Sequence, residues 1–184
     1  MIVYEGSRSG ISQAQALAAY WHQTGAQFTQ IISSPQTRAR KTAEIISNRL
    51  GCEIEFDPVW MERDNGLYAG LKHEEAQHKY PYPEFTPIYE KIGRKGESQW
   101  ELFLRGGRAI QQLLNKPAGK YLVVSHGGIL NMTLKALLGI QPEANFQGPH
   151  FRFRNSAFAS LVYKPDQQVW EIHAINSTPH LDNP

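Results

Sequence analysis

The stretch Val123-Val124-Ser125-His126-Gly127-Gly128 constrains the fold of this chain more than any other. An apolar run from Tyr121 to Val124 ends on a polar histidine, two glycines follow, and a helical pattern begins at Ile129. A strand that stops at a histidine and turns sharply into a helix points the imidazole out of a sheet's carboxyl edge. Open α/β sheets bind ligands at that edge. Glycine lets backbone N–H groups approach an anion closely, and a helix N-terminus adds a favourable dipole. The pattern predicts a phosphate or carboxylate site around His126 and the N–H of Gly127. Taken alone, it is equally the pattern of a histidine that fills a strand-to-helix turn.

The same alternation runs along the chain. Met1 to Tyr4 reads as a short strand and Gly6 to Gly10 as a loop. Ala14, Leu17, Ala18 and Trp21 recur at helical spacing. A strand is expected over Phe28 to Ile32. Ser34 can cap a helix with Pro35 at its first position, running to Leu50. Cys52 to Phe56 is the next strand, a short helix begins near His73, and Ser98 caps a long helix through Leu113. Phe158 to Tyr163 and Val169 to His173 form a late strand pair around Lys164-Pro165-Asp166. Strands alternating with helices predict a mainly parallel sheet covered on both faces, with an antiparallel edge. No linker divides the 184 residues, so one domain is expected, with Pro58 to Lys95 as a lid over the carboxyl edge.

Composition narrows the function. A net charge of +2 is too small for a nucleic-acid footprint but suits a pocket for an acidic small molecule. Cys52 is the only cysteine, so no intrachain disulfide can form, and a reducing cytoplasm fits best. No apolar run is long enough to span a bilayer. No cysteine pair or His-x-x-x-His spacing points to a metal or other cofactor. No glycine-rich dinucleotide fingerprint follows a strand.

Two further segments carry chemistry. In Ser33-Ser34-Pro35-Gln36-Thr37-Arg38-Ala39-Arg40-Lys41-Thr42-Ala43, Arg38 falls in the first turn of a helix, where an anion is already favoured. A guanidinium there can grip phosphate oxygens in a bidentate way. Arg40 and Lys41 read as a solvated basic face. In the second segment, Glu62 sits among Trp60, Met61, Leu67 and Tyr68. A glutamate in such surroundings can serve as a general acid, though a surface pair with Arg63 explains it as well. Trp60, Leu67 and Tyr68 can lie under the lid or in a homodimer interface.

Together these segments resemble the histidine phosphatase family, which includes the cofactor-dependent phosphoglycerate mutases. The resemblance rests on Ser33 to Ala43, Glu62 to Leu71, Gly96-Glu97-Ser98-Gln99-Trp100 and Val123 to Gly128, in the family's order, with Asn155-Ser156 near the end. It implies a three-layer α/β/α sandwich and metal-free phosphoryl transfer through a phosphohistidine. The ligand would be a small phosphorylated substrate or inorganic phosphate. Arg38 would clamp the phosphoryl group, His126 would donate to its oxygens, and Glu62 would protonate the leaving alcohol. Gly127 and Asn155 join Arg38 and His126 as substrate contacts. Arg8, in Gly6-Ser7-Arg8-Ser9-Gly10, would add charge from a small anion-binding nest.

One family element is missing. The nucleophile belongs to an Arg-His-Gly motif after the first strand, and this sequence contains no Arg-His-Gly. About twenty residues of the family pattern between that strand and the following helix have no counterpart, an estimate that concerns loop length. The expected function is a phosphomonoesterase of this family, inactive or crippled as written. The alternative is a pseudophosphatase that binds phosphate or a phosphoester without turnover.

Overall fold

The computed structural model describes residues 8–181. Three short strands form a parallel sheet in the order β2–β1–β3, where β1 is Gln30–Ser33, β2 Ile54–Phe56 and β3 Tyr121–Val124. β1 is central, and its register sets Ser33 beside both Phe56 and Val124. All three strands therefore end at one edge. Parallel neighbours need crossover connections, and helices supply them. α2 (Thr37–Leu50) joins β1 to β2, and α4 (Gln99–Leu114) precedes β3. α5 (Gly127–Leu138) leaves β3, and α1 (Arg8–Gln23) packs beside α2.

Side-chain alternation in the strands produces the layers. Ile31, Leu122 and Val124 face one way, onto Leu17, Ala18 and Trp21 of α1 and Ala39, Ala43 and Ile46 of α2. Ile32 and Val123 face the other way, onto Leu102 and Ala109 of α4, Ile129, Leu130 and Met132 of α5, and Trp60. This is the expected α/β/α sandwich. The helical spacing of Ala14, Leu17, Ala18 and Trp21 is a buried stripe, as predicted. Trp60, expected under a lid or in an interface, lies in the second core instead, 1% exposed.

The late strands, β4 (Phe158–Lys164) and β5 (Val169–Ser177), form an antiparallel pair. This is the antiparallel element expected alongside the parallel strands. Ser98 caps α4 as expected: its hydroxyl accepts the N–H of Glu101, whose carboxylate accepts the N–H of Ser98.

Two boundaries depart from expectation. Residues 8–10, read as loop, are the first residues of α1. The predicted strand Met1 to Tyr4 and the side chain of Arg8 lie outside the described residues. α2 begins at Thr37, two residues beyond Pro35, and its capping residue Gln36 makes no side-chain cap bond. Ser34 stands two residues before the capping position, where its hydroxyl accepts the N–H of Gln36 at 3.3 Å and also meets His126 in the site. Residues 58–95 contain α3 (His73–Lys79) and three short 3₁₀ turns, at Pro58–Trp60, Gly66–Tyr68 and Ile92–Arg94.

Candidate active site

The site forms where β1 and β3 end side by side. The N–H of Ser34 donates to the carbonyl of Val124 at 3.0 Å, which continues the ladder one residue past the strands. Beyond that point the two chains diverge into α2 and α5. His126 is the capping residue of α5 and is 1% exposed. Arg38, on the first turn of α2, donates its Nε–H to His126 Nδ1 at 2.8 Å. His126 Nε2 lies 2.8 Å from Ser34 Oγ.

Those contacts determine the imidazole's protonation. A guanidinium has no acceptor, so Nδ1 must offer its lone pair to Arg38. The hydrogen of the neutral ring therefore sits on Nε2 and is donated to Ser34 Oγ. Burial pushes the His126 pKa down to about 3, helped by the positive charges of Arg38 and Arg105. The ring is neutral at physiological pH. The chain of contacts runs from Arg38 through His126 to Ser34, with the hydroxyl oxygen accepting. His126 therefore cannot act as a base toward Ser34 in this arrangement, and its Nδ1 lone pair is engaged rather than aimed at a ligand.

Glu62 occupies the position where the sequence predicted an anion. Its carboxylate accepts the N–H of Gly128 at 3.2 Å and that of Ile129 at 3.3 Å, both in the first turn of α5. It also accepts the N–H of Arg63 at 2.9 Å. The helix N-terminus is thus neutralised by a side chain, as its dipole favours. The surface pair with Arg63 is not formed: among the described residues Glu62 makes no salt bridge. The second glycine of the motif leaves room for the carboxylate in this position. A Cβ on Gly128 would stand 2.3 Å from Glu62 Oε1.

Sequence reasoning missed the group that holds Glu62 in place. Arg105, on α4, pairs with Glu97 through two bonds, Nε to Oε1 at 2.8 Å and Nη2 to Oε2 at 2.6 Å. Its Nη1 donates to the carbonyls of Val59 at 2.8 Å and Met61 at 2.7 Å, and Nη2 reaches the carbonyl of Glu62 at 3.5 Å. One guanidinium thus ties the segment before Glu62 to α4. Gln36 adds a tie from α2, its side-chain oxygen accepting the N–H of Glu62 at 3.2 Å. Ser125 Oγ donates to the carbonyl of Trp60 at 2.6 Å.

The glycines of two motifs lock together beneath these residues. A Cβ on Gly66, Gly93 or Gly96 would fall 2.2–2.7 Å from backbone atoms of the facing segment. Only glycine permits that backbone-to-backbone approach, which sets residues 64–68 against 92–96. The N–H of Glu97 donates to the carbonyl of Asp64 at 2.8 Å, and Glu97 then meets Arg105.

The structure thus brings Arg38 and His126 into contact and places Glu62 against the helix that His126 caps. Gly127 opens that helix. Asn155 is a bridge residue just before β4. Among the described residues no group of three or more His, Cys, Asp or Glu is placed to hold a metal ion. No helix among them is long and apolar enough to cross a membrane.

The model of the histidine phosphatase superfamily (branch 1) matches residues 7–178, and the chain belongs to that superfamily. A probable phosphoglycerate mutase GpmB of Escherichia fergusonii is 32% identical over 186 residues, covering 95% of this chain and 82% of the relative. The protein of the same description from Yersinia enterocolitica is 34% identical over 167 residues, covering 85% and 74%. Among solved structures, mycobacterial glucosyl-3-phosphoglycerate phosphatase in complex with VO3 superposes with a TM-score of 0.73 at 25% identity, over 94% of this chain and 87% of that one. Phosphoserine phosphatase from Entamoeba histolytica, in complex with 3-phosphoglyceric acid, shares the fold with a TM-score of 0.71 at 22% identity, over 96% and 86%.

Proposed function

We propose that this chain binds the phosphoryl group of a small phosphomonoester at the Arg38–His126 edge and does not turn it over by the phosphohistidine route. Arg38 supplies fixed positive charge, and neutral His126 holds that guanidinium in place. Glu62 is held on the first turn of α5 as a hydrogen-bond acceptor, which favours its ionised form and fits a binding site better than the acid role expected for it. A phosphoryl transition state needs such donors around its oxygens and an acid on the departing one. The observation that carries the reading is the 2.8 Å contact between Arg38 and His126, two residues that belong to separate family motifs. The neighbours' complexes with VO3 and 3-phosphoglyceric acid support a phosphorylated ligand.

The absence of Arg-His-Gly supports the lack of turnover, and so does the polarity of the site. His126 offers no lone pair to phosphorus, and Ser34 Oγ receives a hydrogen bond from His126 rather than losing a proton to it. The second reading is an active phosphomonoesterase, favoured by the retained set of Arg38, Glu62 and His126. Metal-free hydrolysis of a chromogenic phosphomonoester separates the two. The binding-only reading predicts no turnover above background for this chain or for His126→Ala. Turnover that disappears in His126→Ala would establish the second reading and require a nucleophile other than the family's.

A further inference from the structure

Gln36 stands where the two hydrogen-bonded arms of the site meet. It is the capping residue of α2, two positions before Arg38, and is half-buried. Its backbone N–H donates to Ser34 Oγ at 3.3 Å. That hydroxyl meets His126, which in turn accepts from Arg38. The side chain of Gln36 serves the other arm: Oε1 accepts the N–H of Glu62 at 3.2 Å. The helix makes no use of that side chain, which forms no cap bond. Among the described residues Arg38 and Glu62 share no hydrogen bond or salt bridge, whereas Gln36 is bonded to both arms.

The orientation of the amide follows from its partner. A backbone N–H is a donor, so the atom facing Glu62 must be the oxygen, and the NH2 group lies on the other side of the amide carbon. Among the described residues Nε2 donates to no protein group, and it is not one of the buried polar atoms left without a partner. Its two N–H groups are therefore open to solvent. Such a donor suits an anion at this edge in two ways. An ammonium or guanidinium in its place would draw the Glu62 carboxylate off α5, and a neutral amide does not. The amide is also polarised by the bond at its oxygen. Accepting at Oε1 strengthens donation at Nε2, and the converse holds. An anion on Nε2 thus tightens the hold of Oε1 on Glu62.

We propose that Gln36 binds the phosphoryl group beside Arg38 through its side-chain NH2 and relays occupancy of the site to Glu62 through Oε1. The inference rests on the phosphomonoester reading above. It gives the site a second anion donor and a neutral link between its cation and its carboxylate.

The test follows the amide directly. Inorganic phosphate is titrated into isotope-labelled wild type, and the NH2 resonances of the Gln36 side chain are recorded with the backbone N–H of Glu62. Phosphate affinities are measured calorimetrically for the wild type, Arg38→Ala, Gln36→Leu and Gln36→Glu. Both sets of resonances should move along one binding curve. Gln36→Leu should weaken phosphate binding by about tenfold. Gln36→Glu keeps an oxygen for Glu62 but turns a carboxylate oxygen toward the anion, and it should weaken binding further. A glutamine that only held Glu62 in place would give the opposite order, with Gln36→Glu binding better than Gln36→Leu and the NH2 resonances unmoved. NH2 resonances that stay fixed at saturating phosphate, or wild-type affinity in Gln36→Leu, would overturn the amide site. If Arg38→Ala still weakens binding in that case, the phosphoryl reading stands. Failure of the wild type to bind phosphate would overturn both. If Gln36→Leu does not fold, the wild-type resonances still decide.

Discussion

Arg38 and His126, separated by 88 positions in the chain, meet through a 2.8 Å bond in which the guanidinium donates to the imidazole. The direction of that bond makes the histidine an acceptor at Nδ1 and a donor at Nε2. It converts what a sequence motif presents as a reactive imidazole into a neutral, buried support for an arginine.

The first prediction concerns acid. A buried histidine that stays neutral while the unfolded chain protonates costs stability as pH falls. The folded pKa of about 3 lies below the ordinary 6.5, so the unfolded state binds more protons between those values. The stability from His126 is complete above about pH 6.5 and is lost as pH falls toward 3, with a slope of about 1.4 kcal/mol per pH unit. Urea denaturation from pH 7 to pH 4 should be less acid-sensitive in His126→Asn than in the wild type, by about that slope. Nitrogen chemical shifts of His126 should also report a neutral ring protonated at Nε2 at pH 5.

The second concerns Arg105. Removing one partner of a half-buried, doubly bonded pair leaves Glu97 uncompensated and frees the carbonyls of Val59, Met61 and Glu62. Arg105→Ala should destabilise the protein by about 3 kcal/mol in urea denaturation. Arg105→Lys should recover only part of the loss, because an ammonium cannot reach Glu97, Val59 and Met61 in one plane. Both variants should also weaken phosphate binding if the segment bearing Glu62 loosens.

A third prediction separates two effects at Gly128. Gly128→Ala must displace the Glu62 carboxylate from the first turn of α5, at about the cost of a lost helix cap, ~1 kcal/mol. In a Glu62→Ala background there is no carboxylate to displace. The same Gly128→Ala change should then be neutral or stabilising, since alanine favours a helix. A double-mutant cycle should return a coupling of about 1 kcal/mol, and strict additivity would contradict the contact.

Much of the architecture was legible because it rests on local rules. Strand runs that end in polar turns, the Ser98 cap and the apolar stripe of α1 all survive in the structure. The contact between Arg38 and His126 was anticipated only as two residues at one sheet edge. Their bond depends on the parallel register of β1 and β3, which no local pattern encodes. Ser34 looked like a helix cap because a serine before proline usually is one; the helix starts later, and the hydroxyl takes both the N–H of Gln36 and, through tertiary contact, His126. Arg105 was invisible for a similar reason. Its partner Glu97 lies before the helix cap, outside any helical spacing, and its carbonyl acceptors lie more than forty residues upstream. The place of Glu62 on the N-terminus of α5 is a long-range contact that its neighbours do not foretell.

The most direct test of the phosphoryl site is a titration of inorganic phosphate and vanadate against the wild type, Arg38→Ala and Arg40→Ala. Arg40 is exposed and lies over the Phe56 ring, 4.4 Å from its centre, whereas Arg38 is bonded to His126. Loss of about tenfold or more in affinity for Arg38→Ala, with a much smaller change for Arg40→Ala, is the predicted result. Equal effects of the two substitutions would mean that the anion is held by general surface charge, and the Arg38–His126 site would be wrong.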